Sequence, residues 1–272
     1  MAKRALCVGI NDYPYTEEDD LRGCVNDAQG WFTLLRDHYD FAASDMKLLT
    51  DKQARKRDIK AALKKLVASA KKNDVLVFTN ASHGTNERDT GNDEPDGFDE
   101  ALCPYDVDSN LLLDDELREL IGGLPKGVRF YMISDSCHSG SVTRAIPGRT
   151  TRVAKYRRSR YLSPEERGRE GVPNPATRAI QKRRRRQGSE DEMVELLLSG
   201  CNARQSSYDD LFGETFHGAL SYYALETIRE RGYKLTWSEL HESVCLKLEE
   251  NVFDQSPQLE GTAANKGRQL FT

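Results

Sequence analysis

The run VRFYMISDSCHSG, residues 128–140, carries the strongest structural signal in this 272-residue chain, because an apolar segment ends in a cysteine among small and acidic residues. A second run of the same kind, DVLVFTN at 74–80, leads into ASHGT and presents His83. Continuous apolar, β-branched runs of this length are typical of strands buried on both faces of a sheet. The sequence therefore predicts two inner strands, one followed by Cys137 and the other by His83.

Three more short apolar runs and five longer segments with helical periodicity surround these two strands. The apolar runs are RALCVGI (4–10), MKLLT (46–50) and VELLLSG (194–200). The helical segments are NDAQGWFTLLRDHY (26–39), KRDIKAALKKLVASAKK (56–72), DDELRELIGGL (114–124), FHGALSYYALETIRER (216–231) and WSELHESVCLKLEENV (237–252). Alternation of strands and helices predicts an α/β fold with a mostly parallel sheet covered by helices.

A basic tract interrupts this alternation of strands and helices. Residues 144–186 contain fifteen Lys and Arg against three Glu, a net charge of +12 in a chain of net charge −4, so the remainder carries −16. Residues 144–190 also contain four prolines and no sustained periodicity. Such composition predicts a long exposed loop between two strands of the sheet, and like-signed blocks of this kind are commonly available to partners.

Cys137 and His83 are candidates for acyl-transfer chemistry. Loops at the carboxyl ends of parallel strands gather at one edge of a sheet, and a cysteine needs a nearby imidazole to reach its thiolate. Gly84 and Gly140 leave room for a peptide, and the amides of Gly84 and Cys137 could stabilise an oxyanion. For an isolated pair, a small core cysteine and a hydrogen-bonded loop histidine are the more frequent roles.

Motifs along nearly the whole chain favour the chemical interpretation. They are ALCVGINDY, LRGCVNDAQ, SHGT, DEALCPYD, DSCHSG, LLLSGCNARQSSYD and HGALSYYAL. In their order and spacing the chain resembles the caspase-like cysteine peptidases, and among them the metacaspases and their prokaryotic relatives. His83 precedes Cys137 by 54 residues, close to the spacing of about 50 in caspases. His138 belongs to the same motif, and we interpret it as structural.

The resemblance implies a caspase-like fold with a central sheet of about six strands and helices on both faces. It divides the chain into a large-subunit-like region (1–143), a linker and processing loop (144–190) and a small-subunit-like region (191–272) that completes the same domain. It also implies a cysteine endopeptidase with a Cys137/His83 dyad. One departure is local: Asn80, Ala81 and Ser82 precede His83, where the family more often has Tyr-Ser-Gly.

The resemblance further implies a pocket for the side chain of P1, the residue before the cleaved bond. It maps that pocket onto Cys24, Asp27, Ser82 and Asp135, and two carboxylates would bind Arg or Lys and repel acidic side chains. Helix capping by Asp27 and a turn role for Asp135 are the alternatives. With this specificity the basic tract becomes a substrate of the protein itself. The candidate processing residues are Arg186, in KRRRRQGSED, and Arg157, Arg158 and Arg160.

Calcium is expected as an activator. The chemistry itself is expected to need no cofactor. The acidic loop 86–100 does not match the twelve-residue EF-hand pattern. By resemblance Asp99, Asp114 and Asp115 match three calcium ligands of metacaspases, while a fourth acidic position near Arg144 is replaced. N-terminal charge on a helix is an equally good interpretation of Asp114 and Asp115.

Two other classes of function compete with the peptidase hypothesis. A catalytically silent caspase-like scaffold would recruit partners, and the basic tract could bind nucleic acid, although it has little aromatic interleaving. Protein or peptide substrates with Arg or Lys at P1, including its own linker, are the expected partners. The scattered cysteines and the lack of long apolar segments favour a cytoplasmic protein with reduced thiols and no membrane attachment. The resemblance to metacaspases implies a monomer.

Overall fold

The computed structural model describes residues 1–14, 20–88, 98–107, 110–137, 156–163, 193–202 and 205–272. Its strands are β1 (Lys3–Gly9), β2 (Met46–Thr50), β3 (Val75–Ala81), β4 (Gly84–Arg88), β5 (Phe98–Leu102), β6 (Leu112–Leu113), β7 (Arg129–Asp135), β8 (Arg158–Ser159), β9 (Glu195–Ser199), β10 (Tyr208–Phe212), β11 (Thr215–Gly218) and β12 (Gln258–Glu260). Its α-helices are α1 (Cys24–His38), α2 (Lys56–Ala68), α3 (Asp114–Gly122), α4 (Ala219–Glu230), α5 (Trp237–Glu250) and α6 (Ala263–Lys266).

Six strands form the central sheet in the order β12-β9-β7-β3-β1-β2. All neighbours are parallel except β12, which runs antiparallel to β9 at the edge. The two innermost strands, β3 and β7, pair over seven residues, from Val75 opposite Arg129 to Ala81 opposite Asp135. This confirms the predicted α/β architecture with a mostly parallel sheet of six strands.

Helices cover both faces of the sheet because successive strand residues point to opposite sides. Val75, Val77, Tyr131 and Ile133 pack with α1, α4 and α5 in one core. Leu76, Phe78, Phe130 and Met132 pack with α2 and α3 in the other. Helix α5 begins at a capping box in which Thr236 and Glu239 bind each other's backbone amides.

Two three-stranded sheets lie beside the central sheet. One has the order β4-β5-β6 and continues the chain directly after His83. The other has the order β11-β10-β8, so that a short strand of the basic tract is paired with the small-subunit-like region. The loop around His83 is therefore followed by a strand, and residues 158–159 of the tract belong to a sheet.

The structure differs from the sequence predictions at Arg160 and in seven strands that the apolar runs do not predict, β4, β5, β6, β8, β10, β11 and β12. The edge strand β12 was not predicted because its three residues, Gln258–Glu260, form no apolar run. The segment predicted as a helix from 216 begins with strand β11 and becomes helical only at Ala219. The prediction of an exposed loop is wrong for Arg160, whose side chain is completely buried.

All six cysteines are free thiols. In the part of the chain that the structure describes, none of the helices is both long and apolar enough to cross a membrane.

Candidate active site

His83 and Cys137 follow the two innermost strands at the same end of the sheet. The register of β3 and β7 ends with Ala81 opposite Asp135, so two further residues along each strand lead to His83 and Cys137 at the same level. The side chain of Tyr13 orients the histidine loop: its hydroxyl accepts a hydrogen bond from the amide of His83 (3.0 Å) and donates one to the carbonyl of Cys103 (3.1 Å). The rings of Tyr13 and His83 are 5.0 Å apart.

Cys137 is completely buried, and its thiol contacts Gln205 and Cys201. Its Sγ donates to the carbonyl oxygen of Gln205 at 2.9 Å, and Sγ of Cys201 lies 3.5 Å away. The hydrogen bond from Cys201 and the burial of that thiol raise its pKa well above the ordinary value. Cys201 therefore stays protonated and can donate to the sulfur of Cys137.

The most informative feature of the site is a buried arginine surrounded by three carboxylates. Nη2 of Arg160 lies 2.7 Å from Oδ2 of Asp27 and 2.9 Å from Oδ1 of Asp209. Nη1 donates to the carbonyl of Asp135 at 2.9 Å and lies 3.3 Å from its Oδ2. All four side chains are buried. Asp27 and Asp135, two of the residues predicted to form the P1 pocket, therefore lie together, and a guanidinium from the basic tract is bound between them.

Each carboxylate is also held by groups other than Arg160. The following contacts hold them: Asp27 with Gly218 N (2.9 Å) and His217 Nδ1 (2.9 Å), Asp135 with Ser207 Oγ (2.6 Å) and Ser221 N (2.9 Å), and Asp209 with Arg22 N and Gly23 N (3.0 Å each). Gly218 forms one wall, since a Cβ there would collide with Asp135 and Arg160. The three carboxylates are thus held in place by contacts that do not involve Arg160.

Burial and charge oppose each other in this pocket. Desolvation alone would lower the pKa of Arg160, but the carboxylates of Asp135, Asp27 and Asp209 raise it well above the ordinary value. Burial raises the pKa of Asp27, and the guanidinium partly offsets that effect. Such a site binds a cation strongly and excludes an anion, because the buried carboxylates need a positive partner.

The backbone around Arg160 lies in the site like a bound peptide. Arg158 and Ser159 pair antiparallel with Asp209 and Tyr208, and the amide of Arg160 donates to the carbonyl of Ser207 at 2.9 Å. An added strand of this kind is a common mode of peptide recognition.

The next residues continue along the histidine loop. The carbonyl oxygen of Arg160 accepts a hydrogen bond from the amide of Gly84 at 2.8 Å, and the amide of Leu162 donates to the carbonyl of Gly84 at 3.0 Å. Gly84 is the residue whose amide the sequence predicts as an oxyanion donor. The Arg160–Tyr161 peptide is therefore aligned on that amide.

Two other predicted pocket residues have different surroundings. Ser82 donates to the carbonyl of His83 (2.8 Å) and accepts from Asn80 (2.9 Å), so its hydroxyl braces the histidine loop. The thiol of Cys24 is buried at the start of α1, and desolvation raises its pKa well above the ordinary value. It therefore lines the pocket as a neutral group.

The described residues do not fit a calcium site. Arg118 forms ion pairs with both Asp114 and Asp115 on the first turn of α3, so a tethered cation already neutralises two of the three expected ligands. Within the ranges that the structure describes, no three of Asp, Glu, His and Cys form a group that could hold a metal ion. Calcium activation stays a prediction, and no step below depends on it.

Sequence reasoning missed Tyr13, Cys201 and Asp209 as members of the site. All three lie within the quoted motifs ALCVGINDY and LLLSGCNARQSSYD. The motif positions were therefore the available signal, although nothing local in the sequence gives these residues a role. Arg186, His138 and Arg144 lie outside the described residues.

A mostly parallel six-stranded sheet with a cysteine and a histidine after its two inner strands defines the caspase-like class of cysteine peptidases. Residues 3–145 match the family model described as the metacaspase, peptidase C14 domain. The chain is 33% identical to Metacaspase-2 of Arabidopsis thaliana over 98% of its own length. It belongs to the metacaspase family.

Solved structures share the fold of this chain. A crystal structure of a Geobacter sulfurreducens protein has a TM-score of 0.73 and 26% identity, and the alignment covers 100% of this chain and 99% of that one. Caspase-1 of Spodoptera frugiperda, at a TM-score of 0.55 and 12% identity, covers 95% and 86% and shares the fold. The chain spans 59% of the length of Metacaspase-2.

Proposed function

We propose that this protein is a cysteine endopeptidase that cleaves after arginine, and that its first substrate is its own Arg160–Tyr161 bond. One observation carries the proposal: the guanidinium of Arg160 occupies the carboxylate pocket while its carbonyl oxygen is bound by the amide of Gly84. A P1 side chain and a scissile carbonyl need this combination of contacts. The alternative candidate Arg186 lies outside the described residues.

The chemistry follows from the groups at the site. His83 takes the thiol proton of Cys137, and the thiolate forms a bond to the carbonyl carbon of Arg160. The negative charge moves to the carbonyl oxygen, where the amide of Gly84 stabilises it. The bond to the nitrogen of Tyr161 breaks as imidazolium returns the proton to that nitrogen. Water then hydrolyses the thioester, releasing the carboxylate of Arg160 and restoring the thiol.

The pocket favours arginine over lysine at P1. The guanidinium uses two terminal nitrogens, one for Asp27 and Asp209 and the other for Asp135. A lysine ammonium is a single point of charge and cannot span these groups in the same way. We expect both side chains to be accepted and Arg substrates to have the higher kcat/KM.

Mass spectrometry of the purified protein tests the proposal directly. We expect wild type to yield fragments 1–160 and 161–272, and Cys137→Ala to stay intact. Cys245→Ala is the matched control, because that thiol lies on α5 beside His241 and should leave cleavage unchanged. Peptide amides with Arg, Lys, Asp or Ala at P1 then measure the specificity of the processed protein, with and without calcium.

The outcomes separate the parts of the proposal. Cutting after Arg186 instead of Arg160 would keep the peptidase and refute the assigned bond. Cutting that persists in Cys137→Ala, or folded wild-type protein that leaves every Arg peptide intact, would refute the enzyme and favour a caspase-like scaffold.

A further inference from the structure

A second arginine of the same segment is bound as specifically as Arg160. Nε of Arg157 lies 3.0 Å from Oδ2 of Asp210, and its Nη1 donates to the carbonyl of Val252 at 3.0 Å. The guanidinium carbon lies 3.8 Å from the ring centroid of Phe253 and 5.6 Å from that of Tyr208. The side chain is thus clamped between a carboxylate, a carbonyl and two aromatic rings.

This second site has the physical features of a recognition pocket. The side chains of Arg157 and Asp210 are 16% and 5% exposed, so their attraction is only weakly screened by water. A planar guanidinium stacked on an aromatic face gains cation–π energy that a hydrated ammonium matches less well. Further contacts hold the side chains that line this site. The ring of Phe253 stacks on that of Phe212 with their centroids 5.9 Å apart, and Asp210 accepts a hydrogen bond from the amide of Leu211 at 2.8 Å.

The two arginine sites are joined by one strand. Asp209 and Asp210 are consecutive residues of β10, and Asp209 contacts Arg160 while Asp210 contacts Arg157. Counted back from the Arg160–Tyr161 bond, Arg160 is P1 and Arg157 is P4. The spacing between the sites therefore corresponds to two residues between two arginines.

We propose that Asp210 and Phe253 form a subsite selective for arginine at P4, so that preferred substrates contain Arg-X-X-Arg before the cut. The inference rests on the proposed function and names its substrate class more narrowly. The segment YRRSR, residues 156–160, supplies arginine at both P4 and P1, and so do RTTR (149–152) and RRRR (183–186) of the same tract.

Matched peptides test the subsite on the processed wild-type protein. The substrates are aminocoumarin amides of acetyl-Arg-Ala-Ser-Arg, acetyl-Ala-Ala-Ser-Arg and acetyl-Glu-Ala-Ser-Arg. We expect kcat/KM for the first to exceed that for the second by about tenfold or more, as one charge-assisted contact to a buried carboxylate allows. Asp210→Asn should reduce this ratio towards one, whereas Asp37→Asn, which removes an exposed carboxylate paired with Arg36, should keep it.

A charge reversal provides the readout that a purely structural role would not give. Asp210→Lys should invert the preference, so that the Glu peptide is cleaved faster than the Arg peptide. Equal cleavage of the Arg and Ala peptides by wild type would overturn the P4 subsite and leave the peptidase proposal intact. If folded wild type cleaves none of the three peptides, both proposals fail together.

Discussion

Arg160 is the positive charge that makes a cluster of three buried carboxylates tolerable. Asp27, Asp135 and Asp209 come from α1, β7 and β10, so the guanidinium also links three elements that are distant in sequence. Removing one member of a buried ion cluster is costly because the remaining charges lose their partner. The same pocket must nevertheless empty and refill during turnover, which its additional hydrogen bonds allow.

Arg160→Ala should abolish cleavage at 160–161 and destabilise the intact protein. We expect a loss of about 3 kcal/mol in the free energy of unfolding, at the lower end for a broken buried pair, because truncation admits water. Agmatine, which carries a free guanidinium, should restore about 2.7 kcal/mol at one hundred times its Kd. Denaturant titrations of Cys137→Ala and Cys137→Ala/Arg160→Ala, with and without agmatine, measure the loss of stability and its recovery.

Arg158→Ala serves as the comparison for that experiment. Its Nη1 contacts the backbone carbonyl of Asp20, so its loss should not make stability depend on agmatine. Equal destabilisation of the two variants, or no response of the Arg160 variant to agmatine, would contradict the role assigned to the pocket.

Tyr13 is a positioning residue for the histidine loop. Tyr13→Phe removes the hydroxyl that binds the amide of His83 and the carbonyl of Cys103, which should cost about 1–3 kcal/mol of stability. We expect kcat on an Arg peptide to fall about tenfold, equivalent to a barrier about 1.4 kcal/mol higher, with KM unchanged. Tyr39→Phe removes a comparable hydroxyl, bound to the carbonyl of Tyr233 away from the site, and should leave kcat unchanged.

Sequence patterns yield candidate site residues in local motifs and miss residues that distant contacts bring to the site. Cys137, His83, Asp27 and Asp135 follow strands or begin a helix, where position in the pattern suggests chemistry. Asp209 binds the amide of Gly23, which is 186 residues earlier in the chain, and no local pattern encodes that meeting. For the same reason, Arg160 could not be separated from the other arginines of the tract until its pocket was seen.

Elements were predicted where they are long and apolar. Strand β7 is buried along six of its seven residues, and an apolar run of that kind is unmistakable. Strand β8 consists of two polar residues and strand β12 of three residues of mixed polarity, and they pair with β10 and β9. Tertiary pairing, rather than intrinsic preference, forms them.

Asp74 ties the first strand to the loop before β3. Its carboxylate accepts hydrogen bonds from the amides of Ala2 (2.7 Å) and Lys71 (3.0 Å) and from Arg4 (3.1 Å). Burial alone would raise the pKa of Asp74, but these donors lower it below its ordinary value. Its stabilising effect is therefore complete above the ordinary pKa and is lost as pH falls through the lowered one.

Asp74→Asn should cost about 1–3 kcal/mol near neutral pH, and the difference from wild type should shrink as the pH falls from 6 to 3. Urea titrations across this range measure it. Asp58→Asn, which removes a half-exposed carboxylate paired with the exposed Arg57, should follow wild type at every pH. A difference between Asp74→Asn and wild type that grows on acidification would contradict the sign of the pKa shift.

At the level of the whole molecule, the proposed cut does not divide the fold. The second fragment, 161–272, contains β9 and β12, which extend the central sheet from β7. It also contains α4, which packs with α1. The two pieces share one sheet and one core, so their separation would expose a large apolar surface.

We therefore expect fragments 1–160 and 161–272 to co-elute in gel filtration after cleavage and to separate only in denaturant. Intact Cys137→Ala should elute at the same volume. Separate elution of the two fragments in native buffer would mean that the shared sheet does not hold them together.

The strand pairing of residues 158–159 with β10 has a consequence for the order of the maturation reaction. The bond to be cut is already seated in the molecule that cuts it, so maturation is a first-order event whose half-life is independent of dilution. An inactive chain mixed with an active chain should stay uncleaved, because Arg160 of the inactive chain is buried in its own pocket and the active chain cannot reach it. Each copy then matures at a pace set by its internal geometry and not by how many copies surround it.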